Sequence, residues 1–256
     1  MWRRILALGL IVGLGTAAAV ADTSGSCSIR AGRTNSELLF RWSRGDCPAG
    51  DRCNEGDSDM QWGRWSGVTP SDLQREGVTV DARMKADAGE IRCMGTVHEA
   101  VLQGAYSFTP SAQFAREMEA LGFENQTPER LQNYAMLGVT TAWVKEMQDA
   151  GGREITAGDL MALRALKVDP TYVRGMAAAG YPELKAERLI SMKAVGVSPE
   201  KVQQLRAMGY SPTEEEMIQM GVLKIDASFV ARMKARGLQN LTIRKLIQIR
   251  IFKLAD

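Results

Sequence analysis

The sequence predicts an α+β fold: a small antiparallel β domain followed by an α-solenoid of about five helical-hairpin repeats of 28–29 residues. Three observations carry this. Apolar and polar residues alternate from about residue 36 to 108, the period of half-buried strands. From residue 109 onward the period is helical. Across this helical region a single pattern recurs at constant phase. The expected organisation is an export signal at 1–21, a disulfide-bearing β domain at 22–108 and a helical repeat domain at 109–256.

The first segment has the three components of a secretory signal. Arg3 and Arg4 precede the apolar stretch from Ile5 to Gly15, and Ala19-Val20-Ala21 is a small-x-small cleavage pattern that leaves Asp22 as the new N-terminus. The apolar stretch is too short for a membrane span. The paired arginines lack the rest of a twin-arginine motif, and Ser24 stands where a lipidated Cys27 needs an apolar neighbour. A periplasmic or secreted protein is expected. Export favours disulfides among the four cysteines, which allow three connectivities. Cys47 and Cys53 bracket a short polar loop and suit a local staple; Cys27 and Cys93 then tie the mature N-terminus to a strand. No CxxC is present to make a redox site.

In the β region, Leu38, Phe40 and Trp42 alternate with Leu39 and Arg41. Val78, Val80, Ala82 and Met84 form a second series, Ile91, Cys93, Gly95 and Val97 a third, and Gly104 to Phe108 a last short one. Asp87-Ala88-Gly89 reads as the hairpin turn between the second and third. A meander or a sandwich is expected. Trp42, Trp62 and Trp65 supply bulk to a small core, or else a stacking platform for a ligand. Asp46, Asp51, Asn54, Glu55, Asp57 and Asp59 are the oxygen ligands that calcium takes, but their spacing departs from the EF-hand loop, so a solvated acidic loop is expected.

The helical region repeats. Met118, Met147, Met176, Leu205 and Met233 are separated by 29, 29, 29 and 28 residues. Gly122, Gly151, Gly180, Gly209 and Gly237 keep those separations, and Leu131, Leu160, Leu189, Met217 and Leu246 form a second register. Phe114, Trp143, Tyr172 and Phe229 share one slot, which Lys201 fills in the fourth unit. The missing residue lies between Gly209 and Met217. Each unit reads as two short helices. The first starts at a capping residue, Ser111, Thr140, Asp169, Ser198 or Asp226, and ends at the repeated glycine. The second starts near Thr127-Pro128, Thr156 or Ser211-Pro212, with Ser211 and Glu214 as a capping box. Helices this short need neighbours to cover their apolar stripes, which is the logic of a solenoid.

Asp169-Pro170-Thr171-Tyr172-Val173-Arg174-Gly175-Met176 and Ala194-Val195-Gly196-Val197-Ser198-Pro199 show the repeat best. It resembles the helical repeats that follow the peptidase domain in some bacterial antirepressor-type regulatory metallopeptidases, relatives of the β-lactam sensor-transducers. Trp62-Gly63-Arg64 with Ser71-Asp72-Leu73-Gln74, and Tyr106-Ser107-Phe108-Thr109-Pro110, are similar to the β region before those repeats. The resemblance implies an extracytoplasmic appendage without the peptidase domain. That family's zinc motif is HExxH on a helix. His98-Glu99-Ala100-Val101-Leu102 begins like it but lacks the second histidine, and the chain holds a single histidine.

No GxSxG elbow and no phosphate-binding glycine motif occurs, so no catalytic, cofactor or metal residue is expected. Residues 22–108 hold 10 basic and 13 acidic residues, and residues 109–256 hold 20 and 17. The last unit is the exception: residues 229–256 hold 7 basic and 1 acidic. Its helix from Leu241 to Leu254 carries Arg244, Lys245, Arg250 and Lys253, suited to an anionic membrane surface or an acidic partner, or to a solubilising cap. The expected role is an exported non-enzymatic interaction or sensory protein whose helical repeats bind another protein of the periplasm or envelope. The alternatives are a hydrolase or hydrolase-inhibitor role of the β domain, built on the tryptophans and His98, and phosphate or nucleic-acid binding by the repeat turns. Near-neutral charge and export weigh against nucleic acid.

Overall fold

A computed structural model describes residues 23–45 and 55–252. The export signal, the Cys47–Cys53 staple, Asp46, Asp51, Asn54 and Lys253 lie outside the described residues. Six strands, β1 (Thr23–Ala31), β2 (Glu37–Arg44), β3 (Glu55–Gln61), β4 (Thr79–Ala86), β5 (Gly89–His98) and β6 (Val101–Pro110), form one antiparallel sheet in the order β3-β2-β1-β6-β5-β4. Two three-stranded meanders are thus joined side by side through the β1–β6 pair. The sheet is single, not a sandwich. The Asp87-Ala88 turn joins β4 to β5 as expected.

Two strands carry no aliphatic signature. In β1 the buried positions are Cys27 and Ile29, set between serines. In β3 only Met60 is buried; Glu55, Asp57 and Asp59 belong to this edge strand, not to a loop. Acidic residues disfavour strands in general but suit an edge, where they discourage pairing with another chain.

A disulfide joins Cys27 to Cys93 with Cα atoms 5.9 Å apart. These residues lie on β1 and β5, with β6 between them. Second neighbours in a flat sheet would be about 9.5 Å apart, so the sheet folds sharply along β6. Gly104 of β6 sits opposite both Cys27 and Gly95. A Cβ on Gly104 or Gly95 would collide with the facing backbone, so the close approach requires glycine in both strands. The bond closes a sequence separation of 66 residues. Such a loop removes about 4 kcal/mol of unfolded-chain entropy on the chain-entropy model.

The inner face of the sheet buries Ile29, Leu38, Phe40, Met84, Ile91, Leu102 and Phe108. Trp65, Val68 and Leu73, from the segment between β3 and β4, cover some of it.

Ten helices follow: α1 (Ala112–Ala120), α2 (Pro128–Leu137), α3 (Thr141–Asp149), α4 (Ala157–Ala165), α5 (Pro170–Ala178), α6 (Ala186–Ala194), α7 (Pro199–Ala207), α8 (Glu214–Val222), α9 (Ala227–Ala235) and α10 (Ile243–Ile251). The side chains of Ser111, Thr140, Asp169, Ser198 and Asp226 each accept the backbone N–H three residues on, capping the odd-numbered helices. Gly122, Gly151, Gly180, Gly209 and Gly237 all take positive φ just past the ends of those helices. The next N–H then folds back on the helix, as in Phe123 to the Met118 carbonyl and Tyr181 to the Met176 carbonyl, both at 3.0 Å.

The even-numbered helices start at Thr127, Thr156, Lys185, Thr213 and Thr242. The capping box of α8 is therefore Thr213 with Glu216, not Ser211 with Glu214. The missing residue lies between Gly209 and Thr213, and starting α8 at Thr213 keeps Met217 in phase with Leu131, Leu160, Leu189 and Leu246, all buried. The last helix is shorter than the expected Leu241–Leu254.

Helices α1, α3, α5, α7 and α9 contact one another in sequence, and so do α2, α4, α6, α8 and α10. The second row begins on the sheet, where α2 packs against β4, β5 and β6. Both apolar registers read from the sequence are buried between the rows. Tyrosine hydroxyls stitch along them: Tyr134 donates to the Ala157 carbonyl (3.0 Å), Tyr172 to Val197 (3.0 Å), Tyr181 to Pro212 (2.7 Å) and Tyr210 to Leu241 (2.9 Å). Burial pushes the Tyr134 hydroxyl up to about 12, so it stays a donor at neutral pH.

Candidate interaction surface

The three tryptophans of the β domain do not form an exposed platform. Trp65 is 7% exposed and packs on Phe40, with ring centroids 4.9 Å apart. Trp42 stacks on Tyr106 at 5.9 Å, and both Trp42 and Trp62 are half-buried against the core. Trp42 helps line an open depression of about 560 Å³ with Ser26, Ser28, Arg41 and Gln103; His98 is not among its walls. His98 is instead the exposed last residue of β5, and its Nδ1 lies 2.9 Å from Glu76 Oε1. Glu99 and Ala100, with φ of 51° and 61°, make the tight turn into β6. The HExxH-like start thus lies on a hairpin, not a helix. Among the described residues no group of three or more His, Cys, Asp and Glu is arranged to hold a metal ion.

The outer face of β4 and β5 is charged but internally paired. Asp81 accepts from Arg83 at 2.7 Å and from Arg92 at 2.6 Å. Hydrogen bonds from Arg92 and then Arg83 hold its carboxyl well below the usual range. Glu90 lies 3.5 Å from Arg83 and 3.8 Å from Lys85.

Two arginines of the β domain reach the helices; neither was expected as a site residue, although Arg64 belongs to the Trp62-Gly63-Arg64 segment that carries the resemblance. Arg44 lies over the Trp42 ring and donates to the buried Gln132 of α2 at 3.2 Å. Arg64, in the single helical turn Trp62–Arg64, donates to the Ala135 and Met136 carbonyls at 2.7 and 2.6 Å. It thereby caps the C-terminus of α2 from outside the helix. Burial, and then the charge of Arg164, lowers its pKa.

The far end of the helix array is different in kind. Leu137, Leu166, Val195 and Leu223 share one phase at the ends of α2, α4, α6 and α8, each ten residues after its helix's N-cap, and are half-buried against the core. Phe252 holds the same phase after α10 and is 66% exposed, beside Ile251 at 56%. No further helix covers this edge among the described residues. Of the basic residues predicted here, Arg244 and Lys245 are exposed. Arg250 is half-buried; it donates to the Leu223 carbonyl at 3.0 Å and lies over the Phe229 ring at 5.3 Å. Residues 229–252 contain six basic and no acidic side chains. The edge is therefore an apolar patch bordered by positive charge, able to bind an anionic surface that also offers apolar contact. No helix among the described residues is long and apolar enough to cross a membrane. No protein-family model matches the chain, and no curated protein matches it.

Proposed function

We propose that this chain is an exported, non-enzymatic interaction or sensory protein of the periplasm or envelope. Its helices act as an α-solenoid of five helical-hairpin units of 28–29 residues, an appendage of the kind the repeat motif resembles. The β domain anchors the first unit, and the last unit meets the partner. One observation carries this reading: Phe252 stands exposed at the phase where earlier units half-bury a leucine or valine, beside the exposed Ile251 and bordered by Arg244 and Lys245. The partner is a protein with an acidic rim around an apolar centre. Such a rim steers association and makes its rate salt-dependent.

The test places a photo-crosslinking residue at position 252, and separately at Ser26 on the sheet, in cells that export the protein. The expected result is one discrete adduct from position 252 that disappears in R244E/K245E. Identical adducts from both positions, or an adduct indifferent to charge reversal, would overturn the reading. Flotation with phosphatidylglycerol vesicles gives the rival outcome: R244E/K245E-sensitive flotation without a protein adduct assigns the edge to the membrane surface instead.

A further inference from the structure

The fourth unit departs from units two, three and five at two positions that both border one cavity, whereas the first unit keeps its ring, Phe114, and has Ala135 in the cation's place. In units two, three and five the aromatic residue at the third position of the odd-numbered helix lies under a cation from the even-numbered helix. The pairs are Trp143 with Arg164 at 5.2 Å, Tyr172 with Lys193 at 4.4 Å and Phe229 with Arg250 at 5.3 Å. Each cation stands eight residues after its helix's N-cap: Thr156, Lys185 or Thr242. The same count from Thr213 reaches Gly221. Unit four therefore has Lys201 in place of the ring and Gly221 in place of the cation.

Lys201 leaves the ring's slot open, whereas the room beside Gly221 is taken by Val195 and Val197. The Lys201 ammonium bends back to donate to the Gly196 carbonyl at 2.7 Å. Gly221 has no side chain, and a Cβ there would press on Val195 and Val197. What is left is a cavity of about 240 Å³ lined by Val197, Leu205, Met217, Met220, Lys201 and Lys224, among others. Two of its walls, Gly221 and Ile225, stand at the positions of Lys193 and Val197, the residues that meet the Tyr172 ring and hydroxyl. Tyr172 donates its hydroxyl to the Val197 carbonyl; the matching carbonyl in unit four is that of Ile225, which also borders the cavity. Asp226 borders it too, but its carboxylate accepts from the Phe229 N–H at 2.8 Å and from Ser228 Oγ at 2.7 Å.

We infer that this cavity is a ligand site, and that its ligand is a small aromatic carboxylate. The ring takes the slot that the repeat elsewhere fills with its own aromatic side chain, between Met217, Met220 and Leu205. The carboxylate takes the two lysines, which outnumber the single occupied carboxylate of Asp226. Methionine walls suit such a role because the thioether packs favourably against ring edges and adapts to shape. The volume of about 240 Å³ lies below the usual range of about 300–1,000 Å³ for small-molecule sites, which limits the ligand to one ring with a short chain.

The experiment follows the methyl signals of the methionines in the full mature chain, labelled with 13C-methyl methionine, during titration with 3-phenylpropionate and with its neutral amide. The expected result is a saturable shift confined to Met217 and Met220, with the carboxylate binding about tenfold more tightly than the amide. Lys224→Met should erase that preference while leaving amide binding in place. Lys201→Tyr restores the repeat's own ring; it should abolish binding and raise the melting temperature, which separates a filled site from an unfolded one. The inference is overturned if wild-type protein shows no saturable shift at Met217 and Met220, or if Lys201→Tyr binds as wild type does. None of these results depends on the edge at α10.

Discussion

At the scale of single residues, the turns after the even-numbered helices show one conformational demand met in two ways. Gly138, Lys167, Gly196 and Lys224 all adopt the left-handed region, at φ of 69°, 56°, 75° and 53°. The N–H of the next residue, Val139, Val168, Val197 or Ile225, returns to the helix, so the geometry is shared. The glycine-valine ending in Ala194-Val195-Gly196-Val197 advertises positive φ, and Gly138-Val139 repeats it. It was silent at 167 and 224, where the phase alone carried the information. A side chain in this region costs about 1–2 kcal/mol, and glycine gives back some of that as unfolded-chain entropy. Lys167→Gly should therefore stabilise the fold by about 0.5–1 kcal/mol. Urea denaturation monitored by circular dichroism would show it as a higher midpoint with an unchanged slope. A lower midpoint would mean that Lys167 makes a compensating contact. Lys167 rather than Lys224 is the clean site, since Lys224 also borders the cavity of unit four.

At the scale of elements, local chemistry was readable where it was strong. All five caps of the odd-numbered helices stand at the residues read from the sequence, because an Asp, Ser or Thr before an apolar-periodic run has few other uses. The start of α8 was ambiguous because Ser211-x-x-Glu214 and Thr213-x-x-Glu216 both satisfy the capping-box pattern. Core packing decides between them: only the second keeps Met217 and Met220 buried in phase with the other units. Thr213 accepts the Glu216 N–H at 3.2 Å, and Glu216 accepts the Thr213 N–H at 2.9 Å. Thr213→Ala should then cost about 1 kcal/mol, while Ser211→Ala, at an exposed position, should stay within about 0.5 kcal/mol of wild type. Hydrogen exchange at the Glu216 amide provides the local check, quickening in the first variant only. Strands β1 and β3 failed for the opposite reason. Serine, glycine and aspartate carry little strand preference, and their pairing is imposed by the neighbours β2 and β6.

At the scale of the molecule, the question is what makes a sheet and a row of short helices unfold together. Neither the sheet order nor the docking of α2 could be read from one sequence, because both are set by contacts between residues far apart in the chain. Arg64 illustrates this: it stands 71 and 72 residues before the carbonyls it serves. It also lies close enough to Arg164 to be repelled, while Arg164 donates to the neighbouring Leu137 carbonyl at 3.3 Å. Two cations are tolerated there because the end of α2 presents unsatisfied carbonyls and the negative pole of its dipole. Removing Arg64 leaves two carbonyls without that donor, a loss of about 1.5–3 kcal/mol for charged hydrogen bonds. Relief of the repulsion from Arg164 offsets some of it, so Arg64→Ala should destabilise by about 1–2 kcal/mol. The more telling outcome is the shape of unfolding. The indole N–H resonances of Trp62 and Trp65 report on the sheet side, and that of Trp143 on the helices. In wild type they should vanish at one urea concentration, since α2 bridges the sheet and the helices. In Arg64→Ala, Trp143 should lose its native signal at lower urea than Trp62 and Trp65. The disulfide still restrains the sheet, whereas the helices have lost one of their ties to it. If all three indoles still move together at the wild-type midpoint, the apolar packing of α2 on β4, β5 and β6 is sufficient for coupling, and Arg64 contributes position without stability.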